Sequence, residues 1–284
     1  MKAQDSLNIS VSHYFGLARM PFSDDLKSNE LFGLPALQDV ARSVEFAVTN
    51  NLYFAIIGEI GSGKSSALRY ACDRLGSKSV VVLPVIGASW GFVEMLRQFL
   101  AIFNIEFKSF MPSLMVNLIQ DRLRMFSDEG KKIVLTIDEA HLLRSDIFSQ
   151  LHVLTQDATK GSQLASIVLC GQDGLADKLA QKAAQPLASR ITDGYFMQPL
   201  TEDVYEDYFN HHLALAKAPN DMFDEMARAA IWQASSRNLR SIGILCRKCL
   251  QEAVNRGQNT VTAAIVRDVS LSWWNNQNLV PKKS

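Results

Sequence analysis

A chain of 284 residues, 48% hydrophobic and 20% charged, is ordinary for a folded globular protein and has room for one α/β domain with a smaller appended one. Net charge is zero, no apolar run approaches the roughly 18–20 residues of a membrane helix, and the N-terminus lacks the apolar stretch of a signal peptide. These features exclude membrane-spanning and secreted classes from the expectation, leaving a cytoplasmic protein with no membrane partner.

Residues 1–33 hold His13-Tyr14-Phe15-Gly16-Leu17 and Met20-Pro21-Phe22-Ser23, aromatic and turn-forming residues ahead of a helix expected over 34–50. The apolar run over 52–57 reads as a strand and leads into Gly58-Glu59-Ile60-Gly61-Ser62-Gly63-Lys64-Ser65. That spacing fits G-x-x-x-x-G-K-S/T, the phosphate loop, and the helix-forming Ser66-Ala67-Leu68-Arg69-Tyr70-Ala71 follows it as the motif requires. A triphosphate must be met by backbone N–H groups and a helix N-terminus, where donors are unpaired. Gly58, Gly61 and Gly63 let the backbone curl round the phosphates, with Ser62 and Ser66 in the same contacting stretch. Lys64 reaches the β- and γ-phosphates, and Ser65 Oγ can hold Mg²⁺.

A second buried strand is expected over 79–85, then helices over 90–103 and 113–127, whose apolar residues recur at three- and four-residue spacing. The unalternating run Ile133-Val134-Leu135-Thr136-Ile137 reads as a central parallel strand covered on both faces. Asp138 at its C-terminal end is placed to hold the Mg²⁺ hydration shell, and Glu139 to polarise the attacking water. Two adjacent carboxylates at the end of an apolar strand are costly to bury without a cation. Asp138-Glu139-Ala140-His141 also invites a helicase reading, but no other helicase signature accompanies it, and His141 reads as incidental. A helix near 145–155, a strand over 164–170 and a short fifth strand over 194–197 complete the pattern. Strands separated by helices predict a parallel sheet in a three-layer α/β domain.

From Thr201 onward the patterns are helical, with Glu202 and Asp203 behind Thr201 marking a helix start. The expected organisation is an N-terminal segment 1–33, a core 34–200, a helical domain 201–271 and a tail 272–284. Trp273 and Trp274 read as a cap on the domain's own core, with docking of a partner or a neighbouring subunit as the alternative. Cys246 and Cys249 have C-x-x-C spacing without a second pair or nearby histidine and read as ordinary helical cysteines; His211 and His212 read as helix surface. Residues 225–284 carry nine basic and three acidic side chains in a chain balanced at 29 each, an asymmetry suited either to nucleic-acid contact or to neutralising the rest of the protein.

Together these motifs resemble AAA+ ATPases of the ExeA/GspA type, a group that takes in the transposon ATPases TnsC, TniB, MuB and IstB. The likeness runs from about Tyr14 to Val269. It rests on Tyr14-Phe15-Gly16-Leu17 with Pro21-Phe22, the phosphate loop, Ile137 to His141 and Val168-Leu169-Cys170-Gly171-Gln172. Ser189-Arg190-Ile191, Pro199-Leu200-Thr201 and Asn238-Leu239-Arg240 add to it. The family usually carries Gln where His141 stands and Thr where Ser65 stands.

The resemblance implies a P-loop NTPase core with a five-stranded parallel sheet, a smaller all-helical lid, ATP and Mg²⁺ as ligands, and ATP hydrolysis. It implies that Gln172 is the polar sensor of the γ-phosphate and that Arg190 is an arginine finger contributed across a subunit interface. Arg240 resembles the second sensor, with Arg237 as its competitor, and the adenine would lie between the Phe15 to Phe22 segment and the lid. A finger in trans implies self-assembly into a ring or helical filament, with ATP partly a glue. Two jobs stay open. One is a transposition regulator that assembles on double-stranded DNA and stimulates a transposase, favoured by the basic C-terminal part and the absence of membrane or cell-wall modules. Its phosphate contacts would come from Lys78, Arg122, Arg124, Lys131 and Lys132 or from the C-terminal cluster. The other is a secretion-pathway ATPase of the ExeA/GspA type, or a nucleotide-switched protein scaffold.

Overall fold

The computed structural model describes residues 10–76, 79–108, 111–157 and 160–276, the last five of these by backbone alone. The side chains of Trp273 and Trp274, and all of Lys78, Lys282 and Lys283, lie outside the described residues. In chain order the elements are α1 (Val11–Tyr14), α2 (Pro35–Thr49), β1 (Tyr53–Ile57), α3 (Lys64–Arg74), β2 (Val80–Ile86), α4 (Phe92–Ile102), α5 (Pro112–Asp128) and β3 (Lys132–Asp138). They continue with α6 (Ser145–Thr155), β4 (Ser166–Gly171), α7 (Gly174–Leu179), α8 (Gln185–Ala188), β5 (Ile191–Phe196), α9 (Glu202–Leu215), α10 (Glu225–Ala234), α11 (Leu239–Asn255) and α12 (Ala263–Asn276). Gly33–Gln198 form one compact unit, and the described parts of Met1–Phe32 and Pro199–Ser284 form another.

In the first unit five parallel strands run in the order β2-β3-β4-β1-β5. Because side chains alternate along a strand, Tyr53, Ala55 and Ile57 of β1 join Leu135 and Ile137 of β3 on one face, packed with Met95, Phe99, Ile119, Leu123 and Phe148. The intervening residues Phe54, Ile56, Val134 and Val168 are equally buried, and α2 and α3 pack against the strands that carry them. Helices therefore cover both faces, the reason β1, β3 and β4 read as unbroken apolar runs. The registers Ile57↔Gly171, Ile137↔Leu169 and Ile86↔Asp138 hold the C-terminal ends of four strands level.

The strand expected to be buried over 79–85 is instead half-covered and lies at the sheet edge as β2, with Pro84 and Ile86 exposed. Proline has no N–H to offer a second neighbour, so Pro84 tolerates only an edge position. The fifth strand is longer than expected, and its Thr192-Asp193-Gly194 centre is exposed on the opposite edge.

The second unit is helical. Asp224 caps α10 through Ala227 N at 2.6 Å, and Asn238 caps α11 through Ser241 N at 3.1 Å. The N-terminal segment is part of this unit. Ala18 N–H donates to Ala216 O at 2.9 Å, and Phe22 packs edge-on to Phe209 at 4.9 Å and stacks on His212 at 4.8 Å. His212 is thus a core residue, 6% exposed, not helix surface. Burial, then the charges of His211, Arg19 and Arg247, hold its imidazole down to about 3. Cys246 and Cys249 are both buried free thiols of α11.

Candidate nucleotide site

The root of the glycine loop is clamped between strands. Gly58 N–H donates to Gly171 O at 3.2 Å, and Met197 N–H donates to Ile57 O at 2.7 Å. A Cβ on Gly58 would stand 2.7 Å from Met197 Cβ and 3.0 Å from Ser62 Oγ, so only glycine fits. Gly61 and Gly63 have φ of 78° and 92°, the left-handed region that glycine enters without steric cost. Gly63 hands the chain to α3, accepting Ala67 N–H at 2.9 Å.

Two polar groups in this loop lack what burial demands. Lys64 is 6% exposed, and its Nζ donates back across the loop to Glu59 O at 2.8 Å. Ser62 Oγ is buried with no hydrogen-bond partner among the described residues. A buried ammonium with no ion pair among the described residues and an orphaned hydroxyl each carry a desolvation cost. Both lie beside the N-terminus of an 11-residue helix with its unpaired N–H groups. A multiply charged anion with several oxygens meets all three needs at once, so the residues present fit a phosphate group. Ser65 is exposed and Ser66 half-buried on the first turn of α3.

Across β4 from this loop, β3 ends in the acidic pair. Asp138 Oδ1 accepts Glu139 N–H at 2.8 Å, and Asp138 O accepts Gly87 N–H at 2.6 Å. Glu139 turns out of the strand with φ 52° and ψ 31°, a left-handed conformation costing on the order of 1–3 kcal/mol for a residue with a Cβ. Gly87, just past β2, runs so close that a Cβ there would stand 2.6 Å from Glu139 O. Cys170 on β4 is buried beside Asp138; burial first, then that carboxylate, push its thiol up, so the sulfur keeps its proton. Asp138 is half-exposed and acidic at the strand end, a donor type suited with the Ser65 hydroxyl to a hard divalent cation.

His141, incidental by the sequence reading, stands between two functional groups. Its Nδ1 is 3.4 Å from Glu139 Oε2 and 3.4 Å from the backbone nitrogen of Gln172, which follows β4 and is half-buried. Lys178 Nζ donates to His141 O and Leu143 O, both at 2.5 Å, pinning the short turn that carries the ring. The signal available in the sequence was position alone, two residues after Glu139. For Gly87 there was no signal.

Arg190 lies apart from the loop. Arg190 immediately precedes β5, and its carbonyl accepts Tyr53 N–H at 3.4 Å, at the N-terminal end of β1. The loop leaves the other end of β1, so the length of the strand, roughly 13 Å at 3.3 Å per residue, separates Arg190 from its own chain's loop. Its Nη1 donates to Pro186 O. Phe15, Phe22, Arg237 and Arg240 belong to the helical unit. Phe22 is 3% exposed within the aromatic cluster; Phe15 is half-buried and Arg240 exposed at the start of α11. Arg237 is exposed over the Trp232 ring at 5.7 Å.

Several side chains considered for nucleic-acid contact are engaged locally. Arg124 pairs with Asp121 at 2.7 Å, Lys131 with Glu129 at 2.7 Å, and Arg122 lies over Phe126 at 4.9 Å. Of the C-terminal cluster, Arg228 pairs with Glu206 at 3.0 Å, Arg247 with Asp24 at 3.2 Å, and Arg256 with Glu252 at 2.7 Å and Asp268 at 3.0 Å. Arg228 and Arg247 thus neutralise acids of the same unit outside residues 225–284, and Arg256 neutralises acids within that stretch. No helix among the described residues is long and apolar enough to cross a membrane.

Residues 49–179 match the family described as an AAA domain. Over 263 residues the chain is 26% identical to general secretion pathway protein A of Aeromonas hydrophila, covering 92% of this chain and 47% of that protein. The chain therefore spans about half the length of this curated relative. Cdc6p from Pyrobaculum aerophilum superposes with a TM-score of 0.71 at 17% identity, over 88% of this chain and 70% of that one. The Aeropyrum pernix ORC1 protein, in complex with DNA, gives 0.63 at 16% identity, over 89% and 67%. At such identities the likeness is one of fold. The chain has the AAA+ P-loop architecture, a five-stranded parallel sheet flanked by helices and followed by a helical region.

Proposed function

We propose that the chain binds ATP with Mg²⁺ and hydrolyses it to ADP and phosphate. The observation that carries this reading is the loop's unmet chemistry, a buried Lys64 and an orphaned Ser62 hydroxyl at a helix N-terminus, one strand away from an acidic pair at the same C-terminal end of the strands. Lys64 Nζ exchanges Glu59 O for the β- and γ-phosphate oxygens, and the loop N–H groups of Gly61 to Ser66 take the rest. Ser65 Oγ and Asp138 would hold Mg²⁺, which would supply positive charge against that building on the phosphates. Glu139 orients a water and accepts its proton as that water attacks the γ-phosphorus. Gln172 senses the γ-phosphate. Arg190, remote from its own loop, serves the loop of a second copy, which makes the active unit a self-assembled oligomer.

For the cellular setting, the match to a secretion-pathway protein supports the ATPase of a secretion machine over a transposition regulator. Duplex DNA binding rests on the fold shared with a DNA-bound ORC1 protein, against which stand the local ion pairs of the basic residues.

Steady-state ATP turnover and ATP affinity of the wild type, Lys64→Ala and Glu139→Gln test the reading. Lys64→Ala is expected to lose affinity and turnover together, and Glu139→Gln to bind ATP without turning it over. A wild-type chain that neither binds nor hydrolyses ATP, alone or at assembling concentrations, refutes it. Binding to a long duplex at low and moderate salt decides the setting, since phosphate contacts would need triphosphate and weaken steeply with salt.

A further inference from the structure

Arg190 is fixed within its own chain by backbone and side chain alike. Its N–H donates to Leu187 O at 2.9 Å, and its carbonyl accepts Tyr53 N–H at 3.4 Å. Its Nη1 donates to Pro186 O. With the Gln163 amide oriented so that its nitrogen faces acceptors and its oxygen faces donors, that oxygen accepts Arg190 Nε–H at 3.3 Å. The amide nitrogen then faces Tyr53 Oη, Thr155 Oγ1 and Thr155 O, each 3.1 Å away. Gln163 is anchored in turn. Its carbonyl accepts Asn51 Nδ2–H at 3.1 Å, its backbone bridges to Gln156, and Tyr53 Oη hydrogen-bonds Thr155 Oγ1. Tyr53 is 1% exposed and Thr155 fully buried, so the amide rests on groups that have no room to move.

Both groups that hold the guanidinium, an amide and a carbonyl, are neutral, and Arg190 has no ion pair among the described residues. Its charge is felt nearby: burial first, then Arg190, hold the His152 imidazole below its ordinary value. Nη2 has no hydrogen-bond partner among the described residues. A planar guanidinium held at Nε and Nη1 has its plane fixed, and it keeps its third nitrogen and its full charge for an anion from outside. We propose that Gln163 is a positioning residue, which braces the Arg190 guanidinium against the Tyr53–Thr155 pair so that Nη2 is presented to the nucleotide phosphate of a second copy. This deepens the reading of Arg190 as serving another chain's loop and rests on it. A side chain braced before assembly loses less rotamer freedom when it meets the phosphate.

The test measures kcat and ATP affinity at assembling concentrations for Gln163→Met, Arg190→Ala, the two combined, and mixtures of each single variant with Glu139→Gln. Methionine keeps the length of the glutamine and removes its donor and acceptor. Gln163→Met is expected to lower kcat on the order of tenfold to a hundredfold, the range for a misplaced group, with ATP affinity unchanged. Glu139→Gln chains, silent at their own site, supply an intact Arg190 and should restore its turnover. A merely destabilised chain would not be rescued by a neighbour. In the Arg190→Ala background the Gln163→Met change should cost nothing more. Tyr53→Phe keeps the core ring, removes a hydroxyl that holds the amide, and should lower kcat in the same rescuable way even where Gln163→Met folds poorly. Wild-type kcat in folded Gln163→Met beside an inactive Arg190→Ala overturns the bracing alone. So does a loss that mixing leaves in place, or one that adds in full to that of Arg190→Ala. Wild-type turnover in Arg190→Ala, or its failure to recover on mixing, instead overturns the reading of Arg190 on which the proposal stands.

Discussion

Gly87→Ala is the perturbation that most directly questions how Glu139 is held. The added Cβ would stand 2.6 Å from Glu139 O and 3.1 Å from Asp138 O. Carbon–oxygen contacts close to about 3.3 Å, so the Glu139 carbonyl must retreat by about 0.7 Å. Gly87 cannot yield instead without losing its 2.6 Å bond to Asp138 O, which sets the β2 edge against the acidic turn. Glu139 already sits in a left-handed conformation, with little room to absorb the shift by rotation. A misplacement near 1 Å costs on the order of a hundredfold in rate; about 0.7 Å predicts a tenfold to hundredfold loss in kcat. Overpacking of this kind also destabilises by about 1–3 kcal/mol. The phosphate loop is untouched, so ATP affinity is expected to hold. The assay is single-turnover hydrolysis at saturating ATP, with affinity measured separately and folding checked by thermal melting. Wild-type kcat in a folded Gly87→Ala protein would refute the claim that this contact positions the carboxylate.

Three further outcomes are expected. Arg190→Ala should lower hydrolysis by about 10³-fold or more while leaving ATP binding intact; mixing it with Glu139→Gln chains should restore turnover, and failure of that mixture argues against a finger in trans. Gly58→Ala places a Cβ 2.7 Å from Met197 Cβ at the loop's root and should weaken ATP binding measurably; unaltered affinity would mean the loop relaxes freely. His212 is held down to about 3 in the folded chain against an ordinary 6.5, so below pH 6.5 the unfolded chain takes up a proton that the folded one refuses. That contribution is fully present above about pH 6.5 and is lost at up to about 1.4 kcal/mol per pH unit as pH falls toward 3. Urea unfolding at pH 7 and pH 5 should show a wild-type loss about 2 kcal/mol larger than that of His212→Phe; equal losses would show that the buried imidazole is not the cause.

Chemistry carried by contiguous residues is legible in the sequence. The proposed roles of the residues from Gly58 to Ser66 use backbone geometry and a helix N-terminus, which depend on neighbours a few positions away, so their spacing is enough to point to a phosphate site. The unalternating runs of β1, β3 and β4 likewise announce strands covered on both faces, and Thr201 the helix that follows. Tertiary structure decides what lies beside what. The order β2-β3-β4-β1-β5 inserts β4 between loop and acidic pair, and this brings Gln172 to His141 and His141 to Glu139. Gly87 meets Glu139 from across a strand pair, and local periodicity carries no record of such a contact. Pro84 does carry the mark of an edge strand, but the apolar run around it hides the mark. The basic excess of residues 225–284 can be counted in the sequence, whereas the pairing of part of it with Glu206 and Asp24 follows from packing. A side chain's type is written in the chain, and its partner is set by the sheet order and helix packing that bring distant segments together.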